Sequence, residues 1–232
     1  MKEFNVVPGS LGWLEVRLGI PTASQFHRIL TPKTQNFSAQ ARGYAFRLVA
    51  EKLLNESAES IDYIEHVQRG KDLEPQAAQM FTLVEEMELA PVGFLTTDDM
   101  MIGATPDRRI VGASAFLEIK CPAAWTHLEY LVDGFGADYM PQVQGQIFVG
   151  EAEWAARWSF HPRMPPRLEK TPRDDAYIAN LKAALDEFTD MRLGIIEQVK
   201  RMGFFEEHAH VATAVDALAA EFDRRQPGAF DV

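Results

Sequence analysis

The chain has 232 residues, with 23 Lys+Arg against 34 Asp+Glu and a formal net charge of −11. Hydrophobic residues make up 47% and charged residues 25%, the balance of a globular protein that needs no disulfide or metal to fold. The single cysteine, Cys121, excludes an internal disulfide and a cysteine-rich zinc or iron–sulfur site, and the acidic balance excludes a protein that coats nucleic acid by bulk charge.

Met1 to Ser10 holds no basic segment followed by an apolar run, so no signal peptide is expected. No stretch approaches about 18 consecutive apolar residues, so no transmembrane helix and a cytoplasmic location are expected. Ser10 to Ile20 runs into a Gly-Ile-Pro-Thr-Ala-Ser loop, and Thr22 or Ser24 can cap a short helix through Phe26 to Leu30. Thr31 to Phe37 reads as a loop. Tyr44, Leu48 and Leu53 predict a helix over Ala39–Leu54, and Leu73, Ala77, Met80, Phe81 and Val84 predict another over Gly70–Glu88.

The period then changes. Val92–Leu95, Met100–Ala104, Arg108–Val111 and Ala115–Cys121 are short apolar or alternating runs that predict a meander of strands. Met140–Val149 reads as a helix and Glu153–Phe160 as a strand; Pro162, Pro165 and Pro166 then break the chain. Ile178, Leu181, Leu185, Phe188, Met191, Ile195 and Val199 predict a long helix, and a last helix is expected over Val211–Phe222. No repeat or linker divides the chain. One α+β (mixed α/β) domain over 1–232 is expected, with a helical portion from about 174 onward.

Thr105-Pro106-Asp107 and Glu118-Ile119-Lys120 carry the chemistry. Glu118 and Lys120, two apart on a strand, share a face, while Ile119 points into the core. A turn at Gly112–Ser114 would fold Asp107 back beside Glu118. Two neighbouring carboxylates repel unless a cation lies between them, and hard oxygen ligands suit Mg²⁺ or Mn²⁺. With a nearby lysine, these are the parts of a metal-assisted phosphodiester hydrolase. The same spacing also suits a turn aspartate and a solvated edge strand, although Phe116-Leu117-Glu118-Ile119-Lys120-Cys121-Pro122 is apolar for an edge.

The Pro106-Asp107 … Glu118-Ile119-Lys120 pattern resembles the PD-(D/E)XK nuclease signature. The chain more specifically resembles the phage lambda exonuclease and YqaJ-type viral recombinase family. The resemblance rests on Arg17-Leu18-Gly19-Ile20-Pro21-Thr22-Ala23-Ser24, Gly70-Lys71-Asp72-Leu73-Glu74, Thr105-Pro106-Asp107, Glu118 to Pro122, Tyr139 to Gln144 and His161 to Met164, in that order. It implies a PD-(D/E)XK core, a central mixed sheet flanked by helices. It also implies a Mg²⁺-dependent 5′→3′ exodeoxyribonuclease on double-stranded DNA ends, with Mn²⁺ able to substitute.

By position, Asp107, Glu118 and the backbone carbonyl of Ile119 resemble the metal ligands, and Lys120 the lysine that activates or positions water. Glu74 resembles a further acid of the site, and Gln142 a glutamine that orients the lysine or nucleophile. Arg17, Ser24 and Thr105 resemble a pocket for the 5′-terminal phosphate, with Thr105 in place of a more usual serine and Arg108 where glycine is common. The family further implies a homotrimeric ring, a single-strand annealing partner and a host-cytoplasmic location.

Plainer readings stand beside these. Glu74 can meet a helix dipole, Arg17 can pair with Glu15, and Ser24 can cap a helix. Gln142 and Gln146 share a helix side that Gln144 does not. Trp13, Trp154 and Trp158 read as core, and Cys121 as a small buried hydrophobe. His127 and His161 lie near the motifs and can touch substrate; His208 and His210 read as a surface loop. Lys33, in a Thr/Asn-rich loop, can reach a duplex. The competing functions are a structure-specific or restriction-type endonuclease and a non-catalytic DNA-binding recombination accessory protein.

Overall fold

Polar side chains cap the first and the last of the described helices. In the computed structural model, which describes residues 1–57 and 65–203, a short strand β1 (Lys2–Phe4) precedes helix α1 (Leu11–Arg17). Ser10 starts α1 by accepting from the Trp13 amide at 3.2 Å. A 3₁₀ helix, Ala23–Arg28, occupies the place of the predicted short helix. Helix α2 (Ala41–Leu54) buries Tyr44 and Leu48 and stops where Asn55 turns left-handed. Helix α3 (Glu65–Glu85) begins earlier than predicted, so Glu74 and Pro75 lie well inside it. The helix-dipole explanation of Glu74 therefore fails.

The predicted meander divides between two sheets. An unpredicted strand β2 (Leu89–Ala90) precedes it, and the predicted runs become β3 (Phe94–Thr96), β4 (Gly103–Ala104), β5 (Arg108–Ile110) and β6 (Ala115–Lys120). Strands β1, β3 and β4 form a separate antiparallel sheet. The physical reason is β1, a short polar N-terminal segment that pairs with β3. It passes so close that a Cβ on Gly93 would lie 1.9 Å from the Phe4 carbonyl oxygen, so only glycine fits there.

Beyond β6 come α4 (Ala124–Asp133), α5 (Met140–Val149), β7 (Trp154–Ser159), β8 (Arg167–Pro172) and α6 (Asp175–Arg201). Asp174 caps α6 through the Tyr177 amide at 2.9 Å, and Lys200 and Arg201 meet its negative end. The larger sheet has the order β2-β5-β6-β7-β8 and is mixed, because β6 and β7 run parallel and the other pairs antiparallel. Strand β6 is thus central, which removes the edge-strand reading of Glu118 and Lys120. The predicted helix over Val211–Phe222, and His208 and His210, lie outside the described residues.

Alternation along β6 sorts its side chains onto two faces. Ala115, Leu117 and Ile119 pack with Ala77 and Phe81 of α3 and with Trp158. The Trp158 indole donates to the Ala77 carbonyl at 3.1 Å, and Phe81 meets its ring edge-on at 5.3 Å. Truncating either ring to alanine is expected to cost about 3–5 kcal/mol. Phe116, on the opposite face, joins the core of α2, α6 and the 3₁₀ helix. Trp13 and Trp158 are buried and Trp154 packs against the α3-side core, as expected.

Candidate active site

The turn after β5 does what the spacing requires. Gly112 adopts a φ of +77°, and the return pairs Arg108 with Leu117. Asp107 then lies just past the paired stretch. Its Oδ2 accepts from the Ile119 amide at 2.6 Å, taking the place of the next ladder bond. Glu118, buried at 4% exposure, points to the α5 face.

Glu118 is held by three donors. Lys120 Nζ and Gln142 Nε2 each donate to Oε1 at 2.6 Å, and Gln146 Nε2 donates to Oε2 at 2.6 Å. Gln142 and Gln146 are one helical turn apart on α5, whereas Gln144 faces away, donating to the Pro172 carbonyl and accepting from the Asp174 amide. Gln146 is one residue that sequence reasoning did not place at the site; its i,i+4 relation to Gln142 was the available signal. Burial opposes the Lys120 charge, but Glu118 and then Asp107 outweigh it, holding the ammonium above the ordinary lysine range. The Tyr139 ring lies 5.0 Å from the ammonium.

Burial, and then the charge of Glu118, push the Asp107 carboxyl well above the usual carboxylate range. Such a pair favours a bound cation. The donors are hard oxygens, which suits Mg²⁺ or Mn²⁺ better than softer metals. Phe160 N donates to the Lys120 carbonyl on the β7 side, so strand alternation turns the Ile119 carbonyl toward Asp107. Gln146 Oε1 is buried without a hydrogen-bond partner, a place that the water of a hydrated cation would fill. These residues fit a divalent ion. Among the described residues, no three His, Cys, Asp or Glu side chains converge, and Asp107 and Glu118 are the two carboxylates brought together here.

Glu74 stands aside from that pair. Its charge acts on Asp107, but its carboxylate is bound to Arg108 at 2.7 Å. Arg108 also donates to the Asp107 carbonyl at 2.5 Å, so it clamps the turn and leaves the register intact.

A second cluster gathers the residues read as a phosphate pocket. Arg17 reaches Thr22 Oγ1 at 3.4 Å, and Thr22 Oγ1 lies 3.4 Å from Ser24 Oγ. The Arg17 guanidinium sits 3.7 Å over the Trp13 ring, whose indole nitrogen donates to Thr105 Oγ1 at 3.3 Å. Thr22 bridges to Gly103, two residues before Thr105. Arg17, Ser24 and Thr105 are thus joined through Thr22 and Trp13, neither of which sequence reasoning placed in the pocket. Ser24 lies inside the 3₁₀ helix and Thr22 holds the cap position, so Ser24 is not a cap.

His127 is fully buried between Ser159 Oγ at 2.6 Å and the Pro165 carbonyl at 3.0 Å, so it does not reach substrate. Lys33 is exposed in its loop. Cys121 is half-buried, and burial followed by Glu74 and Asp107 pushes its thiol up to about 11.

A family model described as the YqaJ-like viral recombinase domain matches residues 12–153. An alkaline exonuclease (LHK-Exo) from Laribacter hongkongensis is similar with a TM-score of 0.75 and 27% identity, over 84% of this chain and 98% of that one. LHK-Exo in complex with dAMP matches with the same TM-score and coverage at 28% identity. A phage-related exonuclease from Haemophilus somnus 129PT shares the fold, with a TM-score of 0.64 and 15% identity over 78% of this chain and 96% of that one. No curated protein matches the chain at a significant level.

Proposed function

We propose that this chain, which belongs to the family of YqaJ-like viral recombinase domains, is a metal-dependent DNA exonuclease of phage-type recombination, digesting one strand of double-stranded DNA from its 5′ end. The observation that carries the reading is the buried pairing of Asp107 with Glu118 beside the Lys120 ammonium. A binding module has no use for two carboxylates facing a phosphate. The similarity to an alkaline exonuclease supports the same chemistry.

Asp107, Glu118 and the Ile119 carbonyl would hold Mg²⁺, with Mn²⁺ as a substitute. Bound there, the ion polarises the scissile phosphate and acidifies water. Gln142 and Gln146 fix the Glu118 carboxylate, so its orientation is set before substrate arrives. Lys120 is cationic at neutral pH, orients the attacking water and steadies charge on the phosphate. Glu74 adds negative charge near the ion from its Arg108 clamp. Arg17, Thr22, Ser24 and Thr105 offer a cation and hydroxyl donors to a terminal 5′-phosphate, which sets direction by placing the next phosphodiester over the carboxylates. The protein acts as a homotrimeric ring around DNA and works with a single-strand annealing protein.

The test is digestion of linear duplex in Mg²⁺ or in EDTA by wild type, Asp107→Ala and Lys120→Ala. Degradation in Mg²⁺ alone, with both variants slowed by about 10²–10⁴-fold, is expected. Cutting of covalently closed circles would replace the exonuclease with an endonuclease.

A further inference from the structure

One cleft is basic in a chain whose balance is acidic. It lies past the C-terminal end of β6, between α3, the start of α4 and the turn after β7, and its walls include Arg69, Leu73, Ala123, Trp125, His161 and Arg163. Its volume, about 710 Å³, accommodates a nucleotide. Trp125 is 72% exposed there, although Trp13 and Trp158 are buried. Arg108, Arg109, Arg157 and Arg173 are each paired with an acid; among the described residues Arg69 and Arg163 have no such partner.

Two further features suit an anion. Helix α4 begins after Ala123, which has no side chain to satisfy the first amides. His161, only 6% exposed, accepts from the Arg163 amide at Nδ1 (3.3 Å), which leaves Nε2 as a donor on the cleft wall.

Position gives the ligand. Arg69, Glu74 and Asp107 all act on Cys121, so the cleft adjoins the carboxylates. The Arg17–Ser24 cluster lies on the α5 side of the sheet, where Phe26 packs on Gly145; the cleft lies on the α3 side. On the nuclease reading, a strand with its 5′-phosphate at Arg17 and its next phosphodiester at Asp107 and Glu118 would leave on the α3 side, where Trp125 lies in the cleft.

Resting on the nuclease reading, we propose that this cleft is a nucleotide subsite, in which an unpaired nucleotide on the 3′ side of the scissile phosphate stacks its base on Trp125 and sets its phosphate between Arg69 and Arg163. An aromatic face flanked by guanidinia is the chemistry of single-strand binding. The two cations favour this ligand over the apolar protein partner that exposed Leu128 and Val132 would suit alone.

The test is equilibrium binding of a fluorescein-labelled oligothymidylate to the full chain in EDTA, by anisotropy and by tryptophan quenching. Wild type is expected to bind with quenching. Trp125→Ala should weaken binding about tenfold and remove most of the quench. Arg163→Gln should weaken it and lower the slope of log K against log salt by about 0.7. Affinity and quench that match wild type in both variants would overturn the subsite. Nuclease activity of the same wild-type preparation, measured separately in Mg²⁺, distinguishes the two claims. Trp125-dependent binding without hydrolysis sinks the nuclease reading alone. Hydrolysis with binding indifferent to both substitutions sinks the subsite alone.

Discussion

At the scale of single residues, Glu118 organises the site. Lys120, Gln142 and Gln146 saturate a carboxylate that is nearly out of solvent. Replacing Gln146 with leucine removes the only donor to Oε2 among the described residues. It is expected to cost about 1–3 kcal/mol by urea unfolding and to lower turnover, whereas Gln146→Glu adds a like charge and should cost more. Asp107, Glu118 and Lys120 were legible in sequence because strand alternation and a tight turn are local rules. The role of Trp13 was not, because its bond to Thr105 spans 92 positions and only tertiary folding creates it. Arg108, which stands where glycine is common, secures the turn and restrains Glu74.

At the scale of elements, the contact between α5 and the 3₁₀ helix ties Gln142 and Gln146 to the cluster of Arg17, Thr22 and Ser24. A Cβ on Gly145 would lie 2.5 Å from the Phe26 ring, and Phe26 is fully buried. Gly145→Ala gains up to about 1 kcal/mol of helix propensity but meets overpacking of about 1–3 kcal/mol, so a net loss in thermal unfolding is expected. It should also blunt any preference for 5′-phosphorylated ends, since Ser24 rides on the displaced helix.

Tyr177, on α6, is buried with an unpartnered hydroxyl, and burial followed by Asp174 pushes it up to about 12. Its folded value exceeds the unfolded one of about 10, so the folded state binds this proton more tightly. Its contribution is present below pH 10 and is lost as pH rises through about 12. Tyr177→Phe is expected to raise stability by about 1 kcal/mol at pH 8 and to flatten the alkaline decline, both read from urea midpoints. The long helices were legible because their apolar stripes repeat. Strand β8, Arg-Leu-Glu-Lys-Thr-Pro, was missed because its charges belong to an edge, and β1 because three residues set no period.

At the scale of the whole molecule, the net charge of −11 acquires a distribution. From Asp174 onward the sequence holds 12 acids against 6 bases, outside the matched region of 12–153. Among the described residues, no helix is long and apolar enough to cross a membrane. The candidate site residues lie in the remaining part, where Arg17 stands over Trp13 and Lys120 on Glu118. With Arg69 and Arg163 added, about four cations per chain would release counterions. The expected slope of log K against log salt for duplex is therefore about −4 per chain, and a slope near −10 would mark the diffuse coating that the composition excludes. On the proposed reading, Asp107 and Glu118 hydrolyse a strand whose 5′-phosphate has been anchored nearby. The most direct measurement is the rate at which wild type and Asp107→Asn, in Mg²⁺, release nucleotides from linear duplexes bearing either a 5′-phosphate or a 5′-hydroxyl. Stepwise loss of the phosphorylated strand by wild type, a slower hydroxyl end and an inert Asp107→Asn are predicted; equal digestion by Asp107→Asn, or release from the 3′ end, would contradict the claim.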